Sequence, residues 1–151
     1  DISHKICDKH MMRCVLDTSA LVSGLRSRNG ASFALLRLIA AKRVVPLLSI
    51  ALFLEYEDAL KREEQRMHHG FSLEEIDALL GELAALAESV DVHFRWRPQT
   101  TDPSDEFVIE AAVNGRAEMI VTHNVRHLEG PARRFGIPVF RPGEVLMRIR
   151  S

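Results

Sequence analysis

Short apolar runs alternate along the chain with stretches whose apolar residues recur every three or four positions. Arg13-Cys14-Val15-Leu16 ends at Asp17-Thr18-Ser19, which predicts a buried strand and a turn. A short helix over 20–25 and a polar loop over 26–30 follow. Phe33, Leu35, Leu36, Leu38 and Ile39 have helical spacing within 31–42. Residues 43–48 read as a second strand, and Pro46, which lacks an N–H, predicts a free or irregular side on it. Ser49 suits the cap of a helix reaching about Arg62. The polar stretch 63–71 reads as a loop. Ser72 and Glu75 form a capping-box pattern ahead of Leu73, Ile76, Leu79, Leu80, Leu83 and Leu86, so a helix starts there. Alternation over 90–94 predicts a third strand. Asp102 and Pro103 suit the cap and first position of a helix ending near Asn114-Gly115. Strands over 119–122 and 137–140 and a helix over 144–150 complete the pattern, with room for a short helix near Pro131. Strands alternating with amphipathic helices predict an α/β fold, a parallel sheet with helices on both faces.

At 151 residues the chain matches one ordinary domain. Lys+Arg total 20 and Asp+Glu 21, a formal charge of −1, which argues against gripping nucleic acid by bulk positive charge and leaves a local basic face open, since Arg is spread widely. No apolar run approaches the roughly 18 residues that cross a bilayer, and residues 1–10 lack the apolar centre of a signal peptide. Cys7 and Cys14 provide neither a disulfide framework nor a zinc pattern, so a reducing cytoplasm is the expected compartment. Residues 1–11 read as a cloning-derived tail, with a native start at Met11 or Met12 and residues 12–151 as one domain.

Ligand sites in such sheets lie outside the carboxyl ends of the strands. Asp17 follows the first strand, Glu55 lies about two turns into the helix after the second, and Asp105 sits in the first turn of the helix before the fourth. Asn124 follows the fourth strand in Thr122-His123-Asn124. Carboxylates brought together repel one another unless a cation neutralises them, and oxygen ligands suit Mg²⁺ or Mn²⁺. Each acid has a plainer reading too. Asp17 suits a turn or cap, Glu55 an exposed helical face shared with Glu57 and Asp58, and Asp105 a helix dipole.

The blocks Val15–Ser23, Ser49–Leu60, Asp102–Ala112 and Ile120–Leu128 resemble, in this order and spacing, the PIN domains of VapC-type toxins from toxin–antitoxin pairs. The resemblance spans nearly all of 12–150 and puts Asp17, Glu55 and Asp105 at the acid positions. It implies a three-layer α/β/α fold with a five-stranded, mainly parallel sheet of order 3-2-1-4-5. It also implies Mg²⁺- or Mn²⁺-dependent cleavage of single-stranded RNA, a homodimer and a cognate antitoxin partner. Ser19 stands where many relatives have Asn; Asn124, and often His127, stand where they have Asp.

On this reading Asp17, Glu55 and Asp105 hold the metal, Asn124 supports the site, and Ser19 and Thr122 position the acids. Arg26, Arg28, Arg126 and Arg133 are candidates for the RNA backbone, each equally at home as a solvated surface arginine. Trp96 suits base stacking or packing. His123 and His127 lack a third zinc ligand nearby. The alternative is a catalytically weak PIN-like module that binds RNA or protein. A phosphatase on a similar sheet is disfavoured, since there is no P-loop and Ser19 replaces the second acid of an Asp-x-Asp pair.

Overall fold

A computed structural model describes residues 11–94, 100 and 102–150. Its five strands are β1 (Met12–Leu16), β2 (Val44–Leu48), β3 (Glu88–Ser89), β4 (Met119–Val121) and β5 (Val139–Phe140). They form one sheet of order β3-β2-β1-β4-β5 with every neighbouring pair parallel, the predicted topology. β1 is central: Cys14 lies opposite Pro46 on one side and Met119 on the other. Cys14, Val15 and Leu16 are all buried, as are Met119, Ile120 and Val121. Side chains alternate between the faces of a strand, so unbroken burial means that both faces are covered.

Helices α1 (Thr18–Arg26) and α2 (Ala31–Ala40) join β1 to β2, and α3 (Ile50–Lys61), α4 (Glu63–His69) and α5 (Leu73–Leu86) join β2 to β3. Helix α6 (Pro103–Gly115) precedes β4, α7 (Val125–Arg133) precedes β5, and α8 (Pro142–Arg150) follows it. The caps read from sequence are present. Ser49 Oγ accepts from Leu52 N at 3.2 Å, Ser72 and Glu75 bond reciprocally, and Asp102 Oδ1 accepts from Ser104 N at 2.9 Å. No described helix is long and apolar enough to cross a membrane.

Three local readings change. The polar stretch expected as a loop contains α4. None of its residues is buried, so no apolar period marks it; its charges do, with Glu63 and Glu64 in the first turn and Arg66, His68 and His69 in the last. Gly70, at φ +76°, ends it in the left-handed conformation that glycine tolerates best. The third strand is Glu88–Ser89 rather than 90–94. Beyond Val90, whose N–H still bonds Leu48 O, the backbone turns to a side chain: His93 N and Phe94 N both donate to Asn114 Oδ1. The short helix expected near Pro131 is the longer α7, anchored by buried Leu128 and Ala132 one turn apart. Pro46 behaves as predicted. Its nitrogen is on the same side of β2 as Leu48 O, which faces β3, and β3 begins only opposite Leu47.

Candidate functional site

The strand order reverses between β1 and β4, and the chain leaves both strands at the same edge of the sheet. Asp17 is the first residue beyond β1, and its N–H donates to Val121 O at 2.8 Å. It occupies the N-cap position of α1 but makes no side-chain cap bond. Its carboxylate instead turns toward β4. Oδ2 accepts from Thr122 Oγ1 at 2.6 Å and from Ser19 Oγ at 2.9 Å. Thr122 Oγ1 accepts from Asn124 N at 2.9 Å, and Ser19 Oγ from His123 N at 3.2 Å. The His123 ring bonds buried Ser32 on α2, Nε2 to Oγ at 2.9 Å. Asp17 is 5% exposed, and Oδ1 accepts no hydrogen bond from the described residues.

Asp105 stands in the first turn of α6, and among the described residues its carboxylate accepts no hydrogen bond. Its pKa is pushed up to about 6, first by burial, then by the negative charges of Asp17 and Asp102; His127 acts in the opposite direction. Asp17 and Asp105 therefore sense each other across the site, and His127 offsets part of the repulsion. Glu55 lies beside this pair. Ser104 Oγ donates to Glu55 Oε1 at 2.8 Å, which ties α3 to the turn carrying Asp105. Among the described residues no three His, Cys, Asp or Glu side chains are grouped closely enough to hold a metal ion by themselves. Mg²⁺, which keeps much of its water and commonly takes one or two carboxylates, needs no such group.

Tyr56 links the two sides. It is 2% exposed, and its hydroxyl donates to Leu16 O, the last carbonyl of β1. Burial, with smaller contributions from Asp17 and Cys14, raises its pKa well above the usual phenol value, so it remains a donor. Tyr56→Phe is expected to leave Leu16 O unpaired and to lower stability by about 1–3 kcal/mol. The bond also fixes the end of β1, and with it Asp17, relative to α3; urea unfolding of parent and variant checks the loss.

The other described candidates are at the surface, Asn124 joined to the site by its backbone N–H on Thr122 Oγ1. Asn124 is exposed at the N-cap of α7 and makes no side-chain cap bond. Arg26, Arg28, Arg126 and Arg133 are all exposed, and Arg133 pairs with Glu129 at 3.0 Å. Trp96 lies outside the described residues. Sequence reasoning missed Tyr56, Ser104, and the Ser32–His123 bond. A tyrosine next to a candidate acid, and a serine next to another, were the available signals; Ser32 had none.

A family model for the PIN domain matches residues 13–126. The chain belongs to the PIN-domain family. PIN domains are generally nucleases that use divalent metal ions, which agrees with the Asp17 and Asp105 carboxylates standing within each other's field, one just beyond β1 and the other in the first turn of α6. The comparison with curated proteins finds no match. In this PIN domain the acids come from the connections after β1 and β2 and before β4, with Thr122 completing the hold on Asp17.

Proposed function

We propose that this PIN domain is a Mg²⁺- or Mn²⁺-dependent endoribonuclease of single-stranded RNA, the VapC-type toxin of a toxin–antitoxin pair, working in the cytoplasm as a homodimer restrained by an antitoxin. The observation that carries the nuclease reading is the pairing of Asp17, held by Ser19 and Thr122 with Oδ1 free, with a partly buried Asp105 whose pKa is raised first by burial and then by the Asp17 charge, an arrangement a cation would relieve. Asp17, through Oδ1, and Asp105 would hold the ion. When bound, it supplies polarisation of a phosphoryl oxygen and a lower pKa for the attacking water. The protein's own part is positioning. Ser19 and Thr122 fix Asp17 by their hydroxyl donors. Ser104 fixes Glu55 by one oxygen, leaving Oε2 to accept the proton of a water approaching in line. Tyr56 sets the spacing between the two sides. The toxin, antitoxin and dimer parts rest on the block resemblance.

The test is cleavage of mixed-sequence single-stranded RNA with Mg²⁺ or Mn²⁺, against EDTA. Cutting only with metal supports the nuclease. RNA binding without cutting under any metal supports the second reading, a catalytically weak binding module. One observation favours that reading: the residue at the end of β4 is the neutral, exposed Asn124. Asn124→Asp adds a carboxylate where the charge count is low. It is expected to raise metal affinity and cleavage by about tenfold, since ligand charge tunes the affinity of oxygen sites. Titrating cleavage against Mn²⁺ for both proteins measures this.

A further inference from the structure

A cavity of about 430 Å³ opens at Ser19, whose hydroxyl holds Asp17, and is large enough for a nucleotide-sized ligand. Two helical stripes form its walls. On α1 they are Ser19, Ser23 and Arg26, spaced four and three residues apart and so on one face. On the other side are Ala59, one turn beyond Glu55 on α3, and Arg62, the extended residue that ends that helix. The trough therefore begins at the hydroxyl that holds Asp17 and at the turn after Glu55, and runs away from the acids. Its far end is positive, with Arg26 about 10 Å from Ser19 along α1 at 1.5 Å per residue. Arg62 shares its charge with Asp58, at 2.7 Å. Arg26 forms no ion pair with the described residues. The wall is otherwise rich in hydrogen-bonding groups, Ser27 and Gln65 among them, and no described lining residue is aromatic. Thr18 Oγ1 and Gln65 Oε1 belong to lining residues but are themselves buried, so the trough's accessible polar groups come from its other lining side chains.

From this we infer that the trough is the subsite for the nucleotide flanking the cleaved bond. Arg26 holds the next phosphodiester of the strand, and the hydroxyl groups meet its sugar and phosphate oxygens. The inference rests on the nuclease reading and deepens it. Phosphate contacts position a strand without reading its sequence, and Arg26 is the cation without an ion-pair partner among the described lining residues, so the subsite holds backbone and is indifferent to base identity. Of the four arginines singled out from sequence, it selects Arg26.

Fluorescence anisotropy with labelled oligouridylate and oligoadenylate tests it. Ca²⁺ replaces Mg²⁺, and gels check that the strands stay intact. Arg26→Ala is expected to weaken binding of both homopolymers alike, by about tenfold at low salt, and to reduce the salt slope by about one. Arg133→Ala, which removes a guanidinium engaged by Glu129, should bind as the parent does. If the parent binds and Arg26→Ala binds equally well, or loses only one of the two homopolymers, the trough is not this subsite and the nuclease reading stands. If the parent binds neither strand and cuts none, that reading falls and takes this one with it. Arg26 is exposed, so circular dichroism of the variant should match the parent.

Discussion

Asp17→Asn is expected to remove metal-dependent cleavage, by at least about a thousandfold, which is about 4 kcal/mol of transition-state stabilisation. The substitution is a sharp one because it deletes charge and little else. The amide oxygen of asparagine can still accept the bonds from Thr122 Oγ1 and Ser19 Oγ, so the turn between β1 and α1 should persist. What disappears is the buried negative charge that draws a cation and repels Asp105. Two further readouts follow. The variant should melt no lower than the parent, since a buried charge has gone. Asp105 should titrate lower than its parental value of about 6, because one of its two leading like-charge neighbours is neutral. Cleavage kinetics, thermal melts and carboxyl-carbon NMR test the three consequences separately. Retained cleavage would remove Asp17 from the site; an unmoved Asp105 would break the link between the two acids.

Asp105→Asn should make the metal-free protein more stable at neutral pH and abolish stabilisation by divalent cations. The sign follows from proton linkage. The carboxyl titrates near 6 in the folded protein and near 3.8 when free, so the folded state binds the proton more tightly. Stability therefore falls as pH rises between those values, and at pH 7 the ionised Asp105 opposes folding. Solvent reaches a good part of this group, so screening reduces the effect to about 1 kcal/mol, or about 2–4 °C in melting temperature for a chain of this size. Near pH 4 and below, parent and variant should converge. Added Mn²⁺ at pH 7 should raise the melting temperature of the parent by binding only the folded state, and the gain should fade below pH 6 as protons compete. Melting curves with and without Mn²⁺ from pH 4 to 8 contain the whole test. A parent insensitive to Mn²⁺, or a variant that responds equally, would dissociate Asp105 from metal binding.

The two substitutions act on one pair from opposite sides. Asp17 is locked by two hydroxyls and its replacement should be felt in turnover. Asp105 accepts no hydrogen bond from the described residues, is only half-buried, and should be felt first in stability and pH response.

Much of the fold was legible in local pattern. Cys14-Val15-Leu16 and Met119-Ile120-Val121 are apolar throughout because both faces of β1 and β4 are covered, and Pro46 announced the open half of β2 because it lacks a donor. The caps at Ser49, Ser72 and Asp102 are bonds within three residues, so sequence shows both partners. Helix α4 and the two-residue β3 were not legible. Neither buries a side chain, so hydrophobic period is silent about them. The candidate acids could be named by position and resemblance, yet each had a plain local role. What separated the readings was contact across the chain. Asp17 sits at a cap and does not cap, because Thr122, 105 residues away, takes its oxygen. Glu55 meets the Asp105 turn through Ser104, 49 residues on, and Tyr56 reaches back 40 residues to Leu16. Spacing along a chain determines which residues share a helix face or a strand face. Which faces meet, which oxygen is held and which charge is left without an opposite depend on how distant segments pack, and only the tertiary structure decided that.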